Sequence, residues 1–297
     1  MSALRDSLFS STFATGLLAR TRFPNQTHLD CAVSGGADSI ALLLLAVRTE
    51  QPVTAWHVDH GLRAESPNEA AFVQHLAVAL DVRFESRRIT VTDGPNLEAR
   101  ARDARYAVLP PDVLTGHTAD DQAETVLINL LRGSGTAGLA GMRHDRHPLL
   151  GLRRHETHEL CAQLGITALH DPMNDDARFQ RVRIREELLP LLGEISQRDV
   201  VDILVRQSHV LRDDDDLLEE LAAMIDTTDA VALRAAPPAL ARRAIRQWLA
   251  DPKPPSLATV ERVLAVARGE ATACEIGLGR EVRRSRQRLE IRSYDMM

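Results

Sequence analysis

The sequence predicts an α/β protein: a parallel-sheet nucleotide-binding domain over residues 1–193, a helical connection over 194–228, and a small C-terminal α+β domain over 229–297. Three observations carry this reading. From His28 to about Gly151, short apolar runs alternate with stretches of helical period, the pattern of βαβ units. The hexapeptide SGGADS, Ser34 to Ser39, joins the apolar run Leu29 to Val33 to the apolar helix-like run Ile40 to Val47, as a strand–turn–helix junction does. After Thr228 the composition changes, and proline-punctuated helices give way to short strand-like pieces.

Taken in order, Leu4, Leu8, Phe13, Leu17 and Leu18 among Arg5, Asp6, Arg20 and Arg22 make an amphipathic helix, not a signal peptide. Strands are predicted at Leu29 to Val33, Val53 to Val58, Val82 to Ile89 and Val113 to Thr115, with a weaker one at Pro148 to Leu152. The intervening helices are predicted at Asp38 to Arg48, Asn68 to Leu80, Leu97 to Leu109, Ala119 to Leu131 and Glu156 to Leu164. A turn and a basic helix follow over Asp171 to Arg185, and one or two long helices over Val200 to Ile225 carry the acidic run Asp213 to Asp216. Helices at Pro238 to Leu249 and Leu257 to Ala267 precede strand-like pieces at Ala273 to Leu278 and Arg288 to Ile291.

Composition narrows the function. The chain is 44% hydrophobic and 26% charged, with no apolar run near the roughly 20 residues that span a bilayer. Its three cysteines, Cys31, Cys161 and Cys274, form no CxxC, so zinc and cluster signatures are absent and a reducing cytoplasm is the expected compartment. All but one of the 36 basic residues are arginine, and the exception, Lys253, lies in DPKPP. That excludes a Walker A lysine, a lysine adenylated as an intermediate and a PLP Schiff base.

Any phosphate must therefore be held by backbone NH, hydroxyl, arginine or metal. SGGADS suits this. Gly35 and Gly36 let the backbone approach an anion, Ala37 continues the loop towards Asp38, and Ser34 and Ser39 add hydroxyls. Asp38 would repel a phosphate unless a divalent cation lay between them, which makes it a candidate Mg²⁺ ligand; an ordinary βα turn would use it for the helix macrodipole.

Four further stretches stand out, and the first two lie at predicted strand ends, where open α/β sheets bind ligands. WHVDHGLRAES, from Trp56, offers His57, Asp59, His60 and Arg63 for acid–base work and phosphate contact. GHTADDQAET, from Gly116, offers His117 and the carboxylates Asp120, Asp121 and Glu124 at i, i+3 and i+4 spacings. Such carboxylates call for a cation, Mg²⁺ or a substrate ammonium, where a helix cap alone needs fewer. NLEARARDARYAVL, from Asn96, is an amphipathic helix whose Arg100, Arg102 and Arg105 could face RNA or ATP, or simply solvent. RGSGTAGLAGM, Arg132 to Met142, is a glycine-rich loop suited to a channel wall.

In this order the stretches resemble the N-type ATP pyrophosphatases of the PP-loop superfamily, and within them the tRNA(Ile)-lysidine synthetase family. SGGADS is similar to SGGxDS, HVDHGLR to HxDHxLR, NLEARARDARY to NLExxARxxRY and GHTADDQAET to xHxxDDQxET. With DPMNDDARFQRVRIREELLP, similar to DxSNxDxxxxRNRIRxxLLP, the likeness covers roughly residues 28–192. It implies an adenine nucleotide alpha hydrolase-like catalytic domain and a small tRNA-binding accessory domain. ATP would adenylate the oxygen at carbon 2 of the wobble cytosine in a CAU-anticodon tRNA(Ile), after which free L-lysine would displace AMP. Ser34 to Ser39 would grip pyrophosphate and Asp38 the metal. Asp121 and Glu124 would grip lysine, and Asp59, His60 or His117 would move a proton or touch phosphate.

Arg183, Arg185, Arg242, Arg243 and Arg246 are the expected RNA contacts. A homodimer and a cytoplasmic, membrane-free setting are also expected. Two departures from the family pattern stand out: Val182 replaces its first Asn in NRIR, and longer bacterial members resemble this chain plus a further C-terminal domain. The rivals are a tRNA thiolase of the same superfamily, which needs paired cysteines, and a non-catalytic RNA-binding module.

Overall fold

The computed structural model describes residues 3–59, 66–89, 97–169, 176, 178–251 and 253–293. The chain divides into two compact units, Met1–Ser208 and His209–Met297.

The first unit opens with α1 (Ala3–Ser10) and α2 (Thr12–Leu18), which bury Leu8, Ala14 and Leu17. Three parallel strands follow, β1 (Leu29–Ala32), β2 (Val53–Asp59) and β3 (Arg83–Arg88), hydrogen-bonded in the order β1-β2-β3. Between them run α3 (Ala37–Arg48) and α4 (Ser66–Leu80). Helix α3 buries nine of its residues, including the run Leu42 to Leu45, because it packs on β1 and β2 on one side and on α1 and α2 on another. An all-round apolar helix is the sequence signature of such a position.

Val113 to Thr115 joins the free edge of β1. Leu114 bridges Cys31 in parallel, Leu114 N–H donates to Asp30 O at 2.8 Å, and Ala32 N–H donates to Leu114 O at 2.9 Å. The sheet therefore reads β3-β2-β1-(113–115), and the chain turns opposite ways on either side of the gap between β1 and 114. Ligands bind at such a gap, beyond the carboxyl ends of the strands.

Helices α5 (Leu97–Val108), α6 (Ala119–Leu131), α7 (Thr136–Leu139) and α8 (Arg154–Gln163) follow. The strand expected at Pro148 to Leu152 is not one. Leu150 N–H bonds His147 O and Leu152 N–H bonds Leu149 O, i to i−3 turns that bury Leu149, Leu150 and Leu152 completely. Pro148 brings no N–H for a ladder, and its carbonyl accepts from Arg22 instead.

The basic stretch is helical from Gln180 to Ser196 in three pieces: α9 (Gln180–Arg183), a π-turn (Ile184–Leu188) and α10 (Leu189–Ser196). Leu189 N–H reaches back five residues to Ile184 O. Pro190, at the start of α10, cannot donate, and its ring crowds the preceding turn, so a wider turn relieves it. Helix α11 (Val200–Ala223) is a single helix.

In the second unit, α12 (Ala230–Ala235), α13 (Pro238–Trp248) and α14 (Leu257–Arg268) precede an antiparallel sheet of β4 (Ala273–Gly277), β5 (Arg280–Ser285) and β6 (Arg288–Ser293). Leu233, Ile245, Val263, Leu264, Val282 and Leu289 form its core. Strand β5, REVRRS, was not expected because Val282 is its one buried residue. Arg286 and Gln287 link β5 to β6 with φ of 48° and 65°, a two-residue turn that glycine and asparagine normally occupy. No described helix of either unit is long and apolar enough to cross a membrane.

Candidate active site

The glycine pair of SGGADS lies at the sheet's turning point. Gly35 takes φ +92°, and a Cβ there would stand 2.7 Å from Leu169 Cδ1, while its carbonyl accepts from Leu169 N–H at 2.9 Å. Ser39 Oγ donates to Gly36 O at 2.8 Å and accepts from Ser34 N–H at 3.1 Å, so the two serines brace the loop from both ends. Gly36 caps α3 with extended backbone and no side-chain acceptor, which leaves the first amides of α3 facing outward. Helix N-termini with unpaired amides of this kind can receive an anion.

Across the gap, Gly116 presses against this loop. A Cβ on Gly116 would lie 2.4 Å from Asp38 O and 3.0 Å from Ser39 N, so only glycine lets the two strand ends meet. The helix that follows, α6, carries the acidic residues of GHTADDQAET.

Those carboxylates have partners. Arg154, the first residue of α8, reaches two of them, Asp121 Oδ1 at 3.0 Å and Glu124 Oε1 at 3.2 Å, and also Asp38 Oδ2 on α3 at 3.6 Å. Its own backbone N–H donates to Asp120 Oδ2 at 2.7 Å. Glu124 is fully buried and also accepts from Arg181 Nε and Arg185 Nε, each at 2.7 Å. Arg153 holds Asp120 through Nε at 3.2 Å and pairs with Asp199 at the start of α11. The cation that the acidic spacing called for is thus, in this structure, guanidinium.

The electrostatics differ from one acid to the next. Burial pushes Asp38 above the ordinary carboxylate range, against a hydrogen bond from the Thr157 hydroxyl and with Asp121 adding to the rise. Burial would push Asp121 up as well, yet Arg154, His117 and Arg181, with the Thr118 N–H, hold it at about 2. Asp121 Oδ2 also accepts from Thr118 N and Thr118 Oγ1, both at 2.9 Å. Among the described residues, no group of three His, Cys, Asp or Glu could hold a metal alone. A cation at Asp38 would complete its shell with phosphate oxygens and water, as Mg²⁺ does.

His117 stands beside this cluster. Its Nδ1 lies 2.7 Å from Thr115 Oγ1, which is also 2.6 Å from His147 Nδ1, and the two rings meet edge-on at 4.8 Å. Asp59 closes β2, with Arg88 Nε 3.6 Å from its Oδ2. His57, buried, lies 2.9 Å through Nδ1 from Val33 O and is part of the sheet. His60, Arg63 and the side chain of Arg102 lie outside the described residues; Arg105 is exposed.

Four of the expected RNA contacts are paired with carboxylates. Arg185 is spent on Glu124, and Arg243 is spent on Asp215, at 2.7 Å, and on Glu219, because both bury most of their side chains beside carboxylates. Arg183 pairs with Glu187 and Arg242 with Glu261, both on the surface. Val182, where the family pattern has Asn, is buried.

The sequence reading missed Arg153, Arg154, Arg181, Thr157 and His147. A signal for the first two existed: a pair of arginines at a helix N-terminus opposes the macrodipole and needs carboxylates from elsewhere.

The family described as PP-loop domain matches residues 10–192, and the one described as TilS substrate binding domain matches residues 229–290. A tRNA(Ile)-lysidine synthase of Mycolicibacterium paratuberculosis is 47% identical over 73% of this chain and 73% of its own length. The chain belongs to the tRNA(Ile)-lysidine synthase family. The enzyme of that name from Nocardia farcinica is 42% identical over 80% of this chain and 82% of its own. In this chain the arginine–carboxylate cluster lies within the residues matched to the PP-loop domain. The U34-tRNA thiolase of Methanococcus maripaludis, solved with its iron–sulfur cluster, shares the fold at a TM-score of 0.55 and 16% identity, covering 67% of this chain and 80% of that one.

Proposed function

We propose that this protein is an ATP-dependent ligase that joins free L-lysine to carbon 2 of the wobble cytidine of a CAU-anticodon tRNA(Ile). The observation that carries this reading is the meeting of a phosphate cradle and a carboxylate cluster at one turning point of the sheet, with Gly116 packed on Asp38 O. In the first step the cytosine O2 attacks the α-phosphorus of ATP and pyrophosphate leaves into Ser34, Gly35, Gly36, Ala37 and Ser39. Mg²⁺, when bound at Asp38, neutralises charge on the leaving phosphates. In the second step the lysine ε-amine attacks carbon 2, and AMP leaves with the O2 oxygen.

The amine must lose a proton, since a free lysine ammonium titrates near ~10.4. His117 is the proposed acceptor or phosphate contact because it sits within electrostatic reach of Asp121; Asp59 and His60 are the other candidates, with Arg63 on phosphate. Beside Glu124 lies a cavity of about 280 Å³, whose lining includes Asp120, Arg153, Asp199 and Leu189. Both charge signs and an apolar wall suit a zwitterion with an aliphatic stem, and Asp121 and Glu124 would divide their oxygens between Arg154 and the lysine ammonium. The 229–297 region is the proposed tRNA-binding accessory domain, joined to the 1–193 catalytic domain by 194–228, and the cytoplasm is the proposed compartment. Sedimentation tests the proposed homodimer.

Against a thiolase reading stand the cysteines. Burial pushes Cys161 up to about 12 and raises the Cys31 and Cys274 thiols too, so none is poised as a thiolate. The decisive assay supplies ATP, Mg²⁺, labelled lysine and CAU-anticodon tRNA. RNA-linked lysine is the expected product; sulfur transfer or binding alone overturns the reading.

A further inference from the structure

Thr115 is an 8% exposed side chain at the end of the sheet's edge segment, and its hydroxyl lies between two imidazoles. The separations to His117 Nδ1 and His147 Nδ1, 2.7 and 2.6 Å, are both hydrogen-bond distances. A hydroxyl carries one proton. It can donate to one ring nitrogen and accept from another, but it cannot donate to both. A third acceptor, Arg146 O, is 3.5 Å from Thr115 Oγ1 and already takes Thr115 N–H at 2.9 Å, so it competes poorly for the hydroxyl proton. When the hydroxyl donates to a ring, the two histidines take opposite states at Nδ1: where one is bare, the other carries a proton.

We propose that His147 is a positioning residue that donates Nδ1–H to Thr115, whose hydroxyl donates to His117 Nδ1 and so keeps the His117 proton on Nε2. The chain runs one way, His147 to Thr115 to His117, and each donor polarises the next. Its consequence is a His117 that offers an N–H outward, the form a phosphate or adenylate oxygen accepts. This inference rests on the reading of His117 as a phosphate contact, because a His117 with Nδ1 occupied and Nε2 protonated cannot accept the lysine proton, which then falls to Asp59 or His60. No residue of the sequence motifs accounts for His147, which belongs to the tight turn that replaced the expected strand.

The test is two-bond nitrogen–proton correlation spectroscopy of the full chain with labelled histidine rings, at about pH 8, above the ordinary histidine range. His117→Gln assigns the His117 signals. In the wild type, His117 should show a bare Nδ1 and a protonated Nε2. In Thr115→Val and in His147→Phe the two resonances should converge as both tautomers become populated. Thr115→Ser and His147→Asn, which restore a hydroxyl and an amide donor, should return the wild-type pattern. Lysine incorporation should fall about tenfold in His147→Phe, less than the roughly 10²–10⁴ a positioned proton donor supplies, and recover in His147→Asn. A protonated Nδ1 on His117, or a wild-type spectrum in both Thr115→Val and His147→Phe, overturns the proposal. Absence of lysine incorporation by the wild type would instead overturn the functional reading, and the spectra would still decide the tautomer.

Discussion

Each compact unit contains a buried arginine–carboxylate cluster, and the two are built on different plans. In the second unit Arg243, on α13, takes Asp215 and Glu219, two acids one turn apart on α11. One helix offers both acids, the other the base, and the result staples two neighbours. In the first unit Arg154 meets carboxylates from α3 and α6, while Arg181 and Arg185 approach Glu124 from α9 and the π-turn. Five elements, α3, α6, α8, α9 and the π-turn, converge beside the SGGADS loop. Arg154 sits at a helix N-terminus, where a cation is locally unfavourable by about 0.3–1 kcal/mol. Proteins keep such local conflicts mainly at sites of function, so the cluster in the first unit reads as a working site and the other as a staple.

The sharpest way to break this contrast is Arg154→Met. Removing one partner of a buried pair costs about 3–5 kcal/mol, measurable by urea unfolding, and lysine incorporation should fall by at least about 10²-fold. Arg154→Lys should not recover it, since a single ammonium cannot span three carboxylates. If activity per folded molecule survived, the two clusters would be equivalent after all.

Arg243→Met should cost about 3 kcal/mol through the stranded Asp215 and leave the salt slope of tRNA binding unchanged. A flatter slope would return Arg243 to the RNA contacts. Next comes Asp121→Asn. With a folded pKa of about 2, below its unfolded value, Asp121 stabilises the fold by about 2 kcal/mol above roughly pH 4, and this is lost as pH falls through about 2. The variant should therefore lose stability at neutral pH and show a weaker acid dependence in urea titrations. It should also lose lysine transfer more than lysine-independent pyrophosphate release. The smallest effect is expected far from both clusters: Arg286→Asn with Gln287→Gly should raise stability by about 1 kcal/mol, read as a higher Tm, by relieving two left-handed residues.

What could be read in the sequence follows the same divide between local and distant causes. The α3 helix, β1 and β2 were legible because their apolar runs are local, and SGGADS was legible because its glycines serve a local turn. Strand β5 was not, since its pairing with β4 and β6 carries it while half of its own residues are arginine. Nor was the 148–152 turn, an apolar run whose burial says nothing of its backbone. In the candidate site, Asp38, Asp121 and Glu124 stood out by spacing. Their guanidinium partners did not, because Arg154, Arg181 and Arg185 lie 30 or more residues away along the chain.

The π-turn at Ile184–Leu188 has one more consequence. An extra residue in a helix advances everything after it by about 100° around the axis. Arg181 upstream of it and Arg185 within its first residues point at Glu124 on α6; downstream, Leu189 packs against Ala119 and Ala123 of the same α6 together with Val201. The wide turn works as a phase adapter: it lets an ionic face and an apolar face of one helical rod address the same neighbour. Deleting a single residue there would straighten the helix and leave α6 with one of those two faces, never both.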